Sequence, residues 1–210
     1  HRLGDDGRVR AVRLVKAGAV TVSETPVAVD PEAAAQLLAT TWLARPRSDA
    51  ETALLRRLSF AGLDVDLPSV AHQAAAAVTR LDDLDLAAHL PGDVARRLAS
   101  QAPTTLPVPS GRSAPLTYHD DGTVTASVKL QELFGLAETP RLGPRQVPVT
   151  FSLLAPNGRP VQTTRDLRSF WQHAYREVRS ELRGRYPKHP WPDDPWTAVP
   201  THRTARSPKR

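Results

Sequence analysis

Apolar residues recur along this chain with two different periods, and the changes of period mark its parts. From Arg8 to Val15 polar and apolar residues alternate, Lys16-Ala17-Gly18 reads as a turn, and Ala19-Val20-Thr21-Val22 returns. A period of two predicts strands, so residues 8–25 are expected to form a β-hairpin. A lone hairpin is marginal in water, and this one is expected to complete a sheet whose other strands lie upstream. Over 30–102 the pattern turns helical. Asp30-Pro31 gives an N-cap followed by Pro at the first helical position, predicting a helix to about Leu43. Ser48-Asp49 caps a second helix through Leu54, Leu55, Leu58 and Phe60. Ser69 opens a third through the Ala74–Val78 run, Asp83–His89 is expected as a short fourth, and Asp93–Ser100 follows Pro91-Gly92 as a fifth. The Ala-rich centre points to close helix packing.

Ala102–Gly111 carries three prolines and reads as a boundary. Beyond it the period returns to two: Leu116 and Tyr118, a turn at Asp120-Asp121-Gly122, then Val124, Ala126 and Val128. Val147, Val149, Phe151 and Leu153 form another such run, followed by Pro156-Asn157-Gly158 and a returning strand, Arg159–Thr163. Four or five antiparallel strands are expected. Asp166 to Arg183 is helical again, with Leu167, Phe170, Trp171, Ala174, Tyr175, Val178 and Leu182 on one arc. Tyr186–Arg210 has no period and is expected to be extended, with Trp191 and Trp196 docked. The pattern as a whole predicts an α+β fold: an N-terminal β-hairpin, a small helical bundle, then an antiparallel β unit with one long amphipathic helix and an extended C-terminal tail. The expected divisions are 1–28, 29–104, 105–185 and 186–210.

Charge changes this picture at the last helix. Residues 159–210 carry 12 Lys and Arg against 5 Asp and Glu, whereas the preceding residues carry 16 against 17. Arg165, Arg168, Arg176, Arg179 and Arg183 fall on an arc roughly 80° wide beside the apolar face. No Asp or Glu stands three or four residues from any of them, the spacing at which a solvated helix face usually pairs its charges. An arginine row without local partners is expected to meet an anion from elsewhere, nucleic-acid phosphate first. Pairing with acidic side chains of another part of the protein is the alternative. In Arg185, Tyr186, Lys188 and Trp191, basic and aromatic groups interleave as in single-strand stacking platforms. The same run, stiffened by four prolines within Pro187–Pro195, also suits a packing strap. The terminal Arg203, Arg206, Lys209 and Arg210 read as a solvated tail.

Several chemistries are absent from the sequence. The four lysines follow Val15, Val128, Pro187 and Pro208, so no Gly-Lys phosphate-binding loop exists. No Asp-Glu dipeptide occurs, the histidines show no paired metal-ligand spacing, and there is no Cys. Asp82-Asp83 and Asp193-Asp194 read as a helix start and a loop rather than an acid/base pair. No catalytic residue, cofactor or metal site is expected in this chain. No run approaches the roughly 18 apolar residues of a membrane span, and His1-Arg2-Leu3-Gly4 lacks a signal core. A cytoplasmic protein without membrane contact is expected, and the absence of an initiator Met suggests a piece of a longer one.

Three motifs carry a resemblance. Lys129-Leu130-Gln131-Glu132-Leu133-Phe134-Gly135, then Arg159-Pro160-Val161-Gln162-Thr163-Thr164-Arg165-Asp166-Leu167, and finally Arg183-Gly184-Arg185-Tyr186-Pro187-Lys188-His189-Pro190-Trp191-Pro192-Asp193-Asp194-Pro195 stand in this order. Together they resemble the C-terminal region of the bacterial HrpB family, which are ATP-dependent DExH-box RNA helicases. The resemblance implies that 1–28 ends an OB-like barrel and that upstream motor domains of the same polypeptide bind ATP and Mg²⁺. It further implies RNA or single-stranded nucleic acid as partner, with this chain an accessory part that contacts nucleic acid or braces the motor. A purely structural interdomain module and a stand-alone nucleic-acid-binding domain are the alternatives.

Overall fold

The computed structural model describes residues 1–201 and divides the chain into two compact units. The terminal Arg203, Arg206, Lys209 and Arg210 lie outside the described residues. His1–Leu55 with Leu63–Arg96 form the first unit; Arg56–Gly62 and the chain from Arg97 onward form the second.

In the first unit β1 (Arg2–Leu3), β2 (Val9–Ala17) and β3 (Val20–Val27) make an antiparallel sheet in that order. The hairpin register shifts between Val15 and Lys16. Leu14, Val15, Val20 and Val22 are all exposed on it. Helix α1 (Pro31–Ala44) begins as expected, with the Asp30 carboxylate accepting the Glu32 N–H and Pro at the first turn. Helix α2 (Asp49–Phe60) opens on a capping box: Ser48 Oγ accepts the Glu51 N–H at 3.3 Å, and Glu51 Oε2 accepts the Ser48 N–H at 2.7 Å. Helix α3 (Leu67–Ala76) starts two residues before Ser69, because Asp66 is the cap and Ser69 N–H its donor. The short fourth helix resolves into two 3₁₀ turns, Leu81–Asp83 and Ala87–His89. Ala35, Leu38, Ala39 and Trp42 of α1 and Val70, Ala71, Ala74 and Ala75 of α3 are buried, so the Ala-rich run is a close helix contact. Helix α4 (Gly92–Gln101) follows.

The second unit is a five-stranded sheet with a helix. Its strands are β4 (Thr105–Pro107), β5 (Ser113–Tyr118), β6 (Val124–Lys129), β9 (Thr150–Leu154) and β10 (Pro160–Thr164), in the order β10-β9-β6-β5-β4. A separate two-stranded ribbon joins β7 (Arg141–Leu142) to β8 (Val147–Pro148). Two expectations are corrected here. The sheet is mixed rather than antiparallel, because β6 and β9 pair parallel. The proline-rich boundary also contributes a strand, β4, at the sheet edge, where a missing N–H is tolerated. The β5–β6 turn is as expected, with Gly122 at φ 77 and Asp121 Oδ1 accepting from the Thr123 N–H and hydroxyl.

The last helix is not one regular cylinder. It runs as α5 (Leu167–Ser169), a π turn over Phe170–Ala174, and α6 (Tyr175–Arg185). Phe170 and Tyr175, five residues apart, would lie about 140° apart on an α-helix. The π turn, in which Tyr175 N–H bonds to Phe170 O, brings them into one column with ring centroids 6.3 Å apart. Leu167, Phe170, Trp171, Tyr175 and Leu182 are consequently all buried, in the same unit as Phe134, Phe151 and Leu153. No described helix is long and apolar enough to cross a membrane.

Candidate nucleic-acid interface

The arginine row does not survive intact. Arg165 stands outside the helix, exposed in the connection from β10 to α5. Arg168 bonds the Glu138 carboxylate through Nε and Nη2, and that pair raises its guanidinium pKa. Arg179 is largely buried: its side chain is 18% exposed, Nε donates to Trp191 O at 2.9 Å, and Nη1 lies 2.6 Å from Asp193 Oδ1. At Arg168 and Arg179 the alternative therefore holds, since each pairs with a carboxylate from another part of the chain. Both partners lie far beyond helical spacing, at 30 and 14 residues, so no helix wheel reveals them.

Arg176 and Arg183 remain. Both are exposed on α6, and neither side chain makes an ion pair or hydrogen bond among the described residues. Seven residues apart, they are two helical turns from each other on the same side. Facing them is the strap. After α6 the chain turns back through Pro187–Pro195, held by Tyr175 Oη donating to Pro192 O at 2.8 Å, by Arg179 on Trp191 O, and by Gly135 N–H on Pro195 O. Trp191 is 8% exposed, and its indole N–H donates to Tyr186 O at 2.9 Å. Tyr186 is half-buried, with its ring edge-on to His189. Arg185 pairs with Glu181 at 3.3 Å, and Lys188 is exposed.

Between α6 and the strap lies an open concavity of about 940 Å³, lined by Arg176, Arg179 and Arg183 on one side and His189, Trp191 and Asp193 on the other. Burial, and then the charge of Lys129, push the His189 imidazole below its ordinary value, so the cations here are the arginines. Ser180 and Gly184 line the same hollow. Neither is singled out by the sequence pattern, although Ser180 stands four residues from Arg176 and Gly184 four from Ser180. Three guanidinium groups against one carboxylate leave the surface positive, a geometry suited to holding an oxyanion without chemistry.

The family model for HrpB, described as ATP-dependent helicase C-terminal, matches residues 67–195, a span that includes α6 and the strap. The chain belongs to this family. It is 47% identical over 111 residues to the "ATP-dependent RNA helicase HrpB" of Escherichia coli (strain K12), an overlap covering 53% of this chain and 14% of that protein. Two crystal structures of HrpB from E. coli are similar in fold. One, of the DExH-box NTPase HrpB, has a TM-score of 0.55 and 32% identity over 92% of this chain and 27% of that one. The other, of the DEAH/RHA helicase HrpB, has a TM-score of 0.58 and 31% identity over 86% and 26%. The chain thus spans about a quarter of the length of the HrpB chains it matches in structure.

Proposed function

We propose that this chain is the accessory C-terminal portion of an ATP-dependent RNA helicase and contributes a nucleic-acid contact through the hollow between α6 and the strap. ATP and Mg²⁺ belong, in this reading, to motor domains elsewhere in the same longer polypeptide, and this part holds or guides RNA while they hydrolyse ATP. One observation carries it: Arg176 and Arg183 face one concavity with no carboxylate paired to either among the described residues. Arg168 and Arg179 are not part of the contact set, since both already hold carboxylates.

Titrating the chain with a labelled single-stranded RNA at several salt concentrations tests this. Each phosphate neutralised adds about −0.7 to the slope of log K against log salt for a single strand. Replacing Arg176 and Arg183 together by Ala is expected to weaken binding and flatten that slope by about 1.4. An unchanged slope removes the hollow as the contact surface. A bracing role is favoured by a different observation, the apolar side chains left exposed on the β2–β3 hairpin. On that reading the isolated chain shows no salt-dependent RNA binding.

A further inference from the structure

Arg176, Ser180 and Gly184 follow one another at intervals of four along α6, so they form a single row on its surface, with Arg183 in the adjoining row. All of them line the hollow. Gly184 has no structural need to be glycine. It lies in the last turn of α6, its φ is not in the left-handed region, and a Cβ placed on it would meet nothing within 4 Å. Glycine in helical backbone is less stable than alanine, so the backbone favours a side chain and the open space around Gly184 admits one. What the glycine leaves is bare backbone, flanked by two unpaired guanidinium groups and a hydroxyl, where another chain can come close.

The rest of the lining bears on what that chain presents. Trp191 offers little ring surface, being 8% exposed with its indole N–H on Tyr186 O, so the hollow is no stacking platform of the kind that grips bases. Asp193 is engaged by Arg179, and no Asn or Gln lines the site to read an adenine edge. Its free groups, two guanidinium forks and the Ser180 hydroxyl, match phosphate oxygens.

We infer that the hollow seats the phosphodiester backbone of a single strand directly against the Ser180–Gly184 surface, whatever its bases or sugars. This rests on the reading that the α6 face contacts nucleic acid, and it names the part of the polymer that is recognised. Arg176 and Arg183 hold phosphates, the Ser180 hydroxyl donates to a phosphate oxygen, and Gly184 sets how close the strand can lie.

Fluorescence anisotropy with the full chain and three labelled oligomers of equal length, single-stranded RNA, single-stranded DNA and abasic DNA, tests it. The three affinities are expected to agree within about fivefold, the least that one lost bidentate base contact would separate them. Gly184→Leu is expected to weaken all three by about tenfold or more without lowering Tm. Gly184→Ala is expected to raise Tm while weakening binding less, which keeps the test meaningful should the larger side chain disturb folding. If RNA binds in a manner sensitive to Arg176 and Arg183 but abasic DNA does not bind, backbone recognition is wrong and the nucleic-acid reading stands. Wild-type affinity in both Gly184 variants would likewise overturn the inference. If none of the oligomers binds, the nucleic-acid reading itself fails and this inference with it.

Discussion

A Cβ added at Gly143 would lie 2.8 Å from Phe60 Cε1, in backbone at φ 70. Phe60 cannot easily give way: it is 2% exposed, and its ring packs edge-on against Tyr118 at 4.7 Å. Gly143→Ala therefore combines overpacking with a strained φ and is expected to cost roughly 2 kcal/mol, read from the midpoint of urea unfolding. Arg179 illustrates a different residue-level point. Its contact with Asp193 is an ion pair to a 90% exposed carboxylate and contributes little. Its bond to Trp191 O lies on the buried side, so Arg179→Ala is expected to cost about 1–2 kcal/mol, and Asp193→Ala much less. Equal effects of the two substitutions would show that the carboxylate, not the carbonyl, fixes the strap.

Among the elements, the π turn decides which faces of the last helix coincide. It absorbs one extra residue, so that α5 and α6 stay in phase with the core. Removing the exposed Gln172 from within it is expected to restore a regular helix while leaving Leu167 and Leu182 buried, with helicity by circular dichroism and Tm essentially preserved. Deleting Ser180 inside α6 instead rotates everything after it by about 100°. That unseats Leu182, at 1% exposure, and should lower Tm sharply. The element scale also shows what the sequence could and could not disclose. Caps at Asp30-Pro31 and Ser48 and the turn at Asp120-Asp121-Gly122 work through residues next to one another, so they were legible. The parallel pairing of β6 with β9 was not, because a period of two is the same in either ladder. Strand β4 was hidden by prolines that an edge position tolerates. The partners of Arg168 and Arg179, Glu138 and Asp193, were invisible to a rule that looks only three and four residues away. Half of the candidate site, Arg176 and Arg183 on α6, could be read; the opposing wall depends on where the strap folds back.

At the scale of the whole molecule, the formal net charge of +6 and the pI near 10.3 keep the chain cationic up to alkaline pH, where its buried tyrosines make stability depend on pH. Burial pushes the Tyr118 phenol up to about 12, against the opposing pull of the Arg57 guanidinium. Burial likewise raises Tyr175 well above its ordinary value, with Arg179 working against the shift. The tyrosine phenol in the unfolded chain has a pKa near 10. Between about pH 10 and 12 the unfolded chain therefore releases protons that the folded one keeps, and equilibrium moves toward unfolding. The stabilisation is complete below pH 10 and is lost as pH rises through the folded values. Tm should stay level from neutrality to about pH 9 and then fall, with tyrosinate absorbance from Tyr118 and Tyr175 appearing in step with unfolding. Tyr118→Phe separates this from general alkaline repulsion. The variant loses the hydroxyl's 2.7 Å bond to Pro103 O and should be less stable at pH 7 by about 1 kcal/mol. Lacking the group that titrates, it should then lose less than the wild type on going from pH 10 to 12, so the two stability curves converge. Parallel curves would mean that Tyr118 keeps no such proton in the folded state.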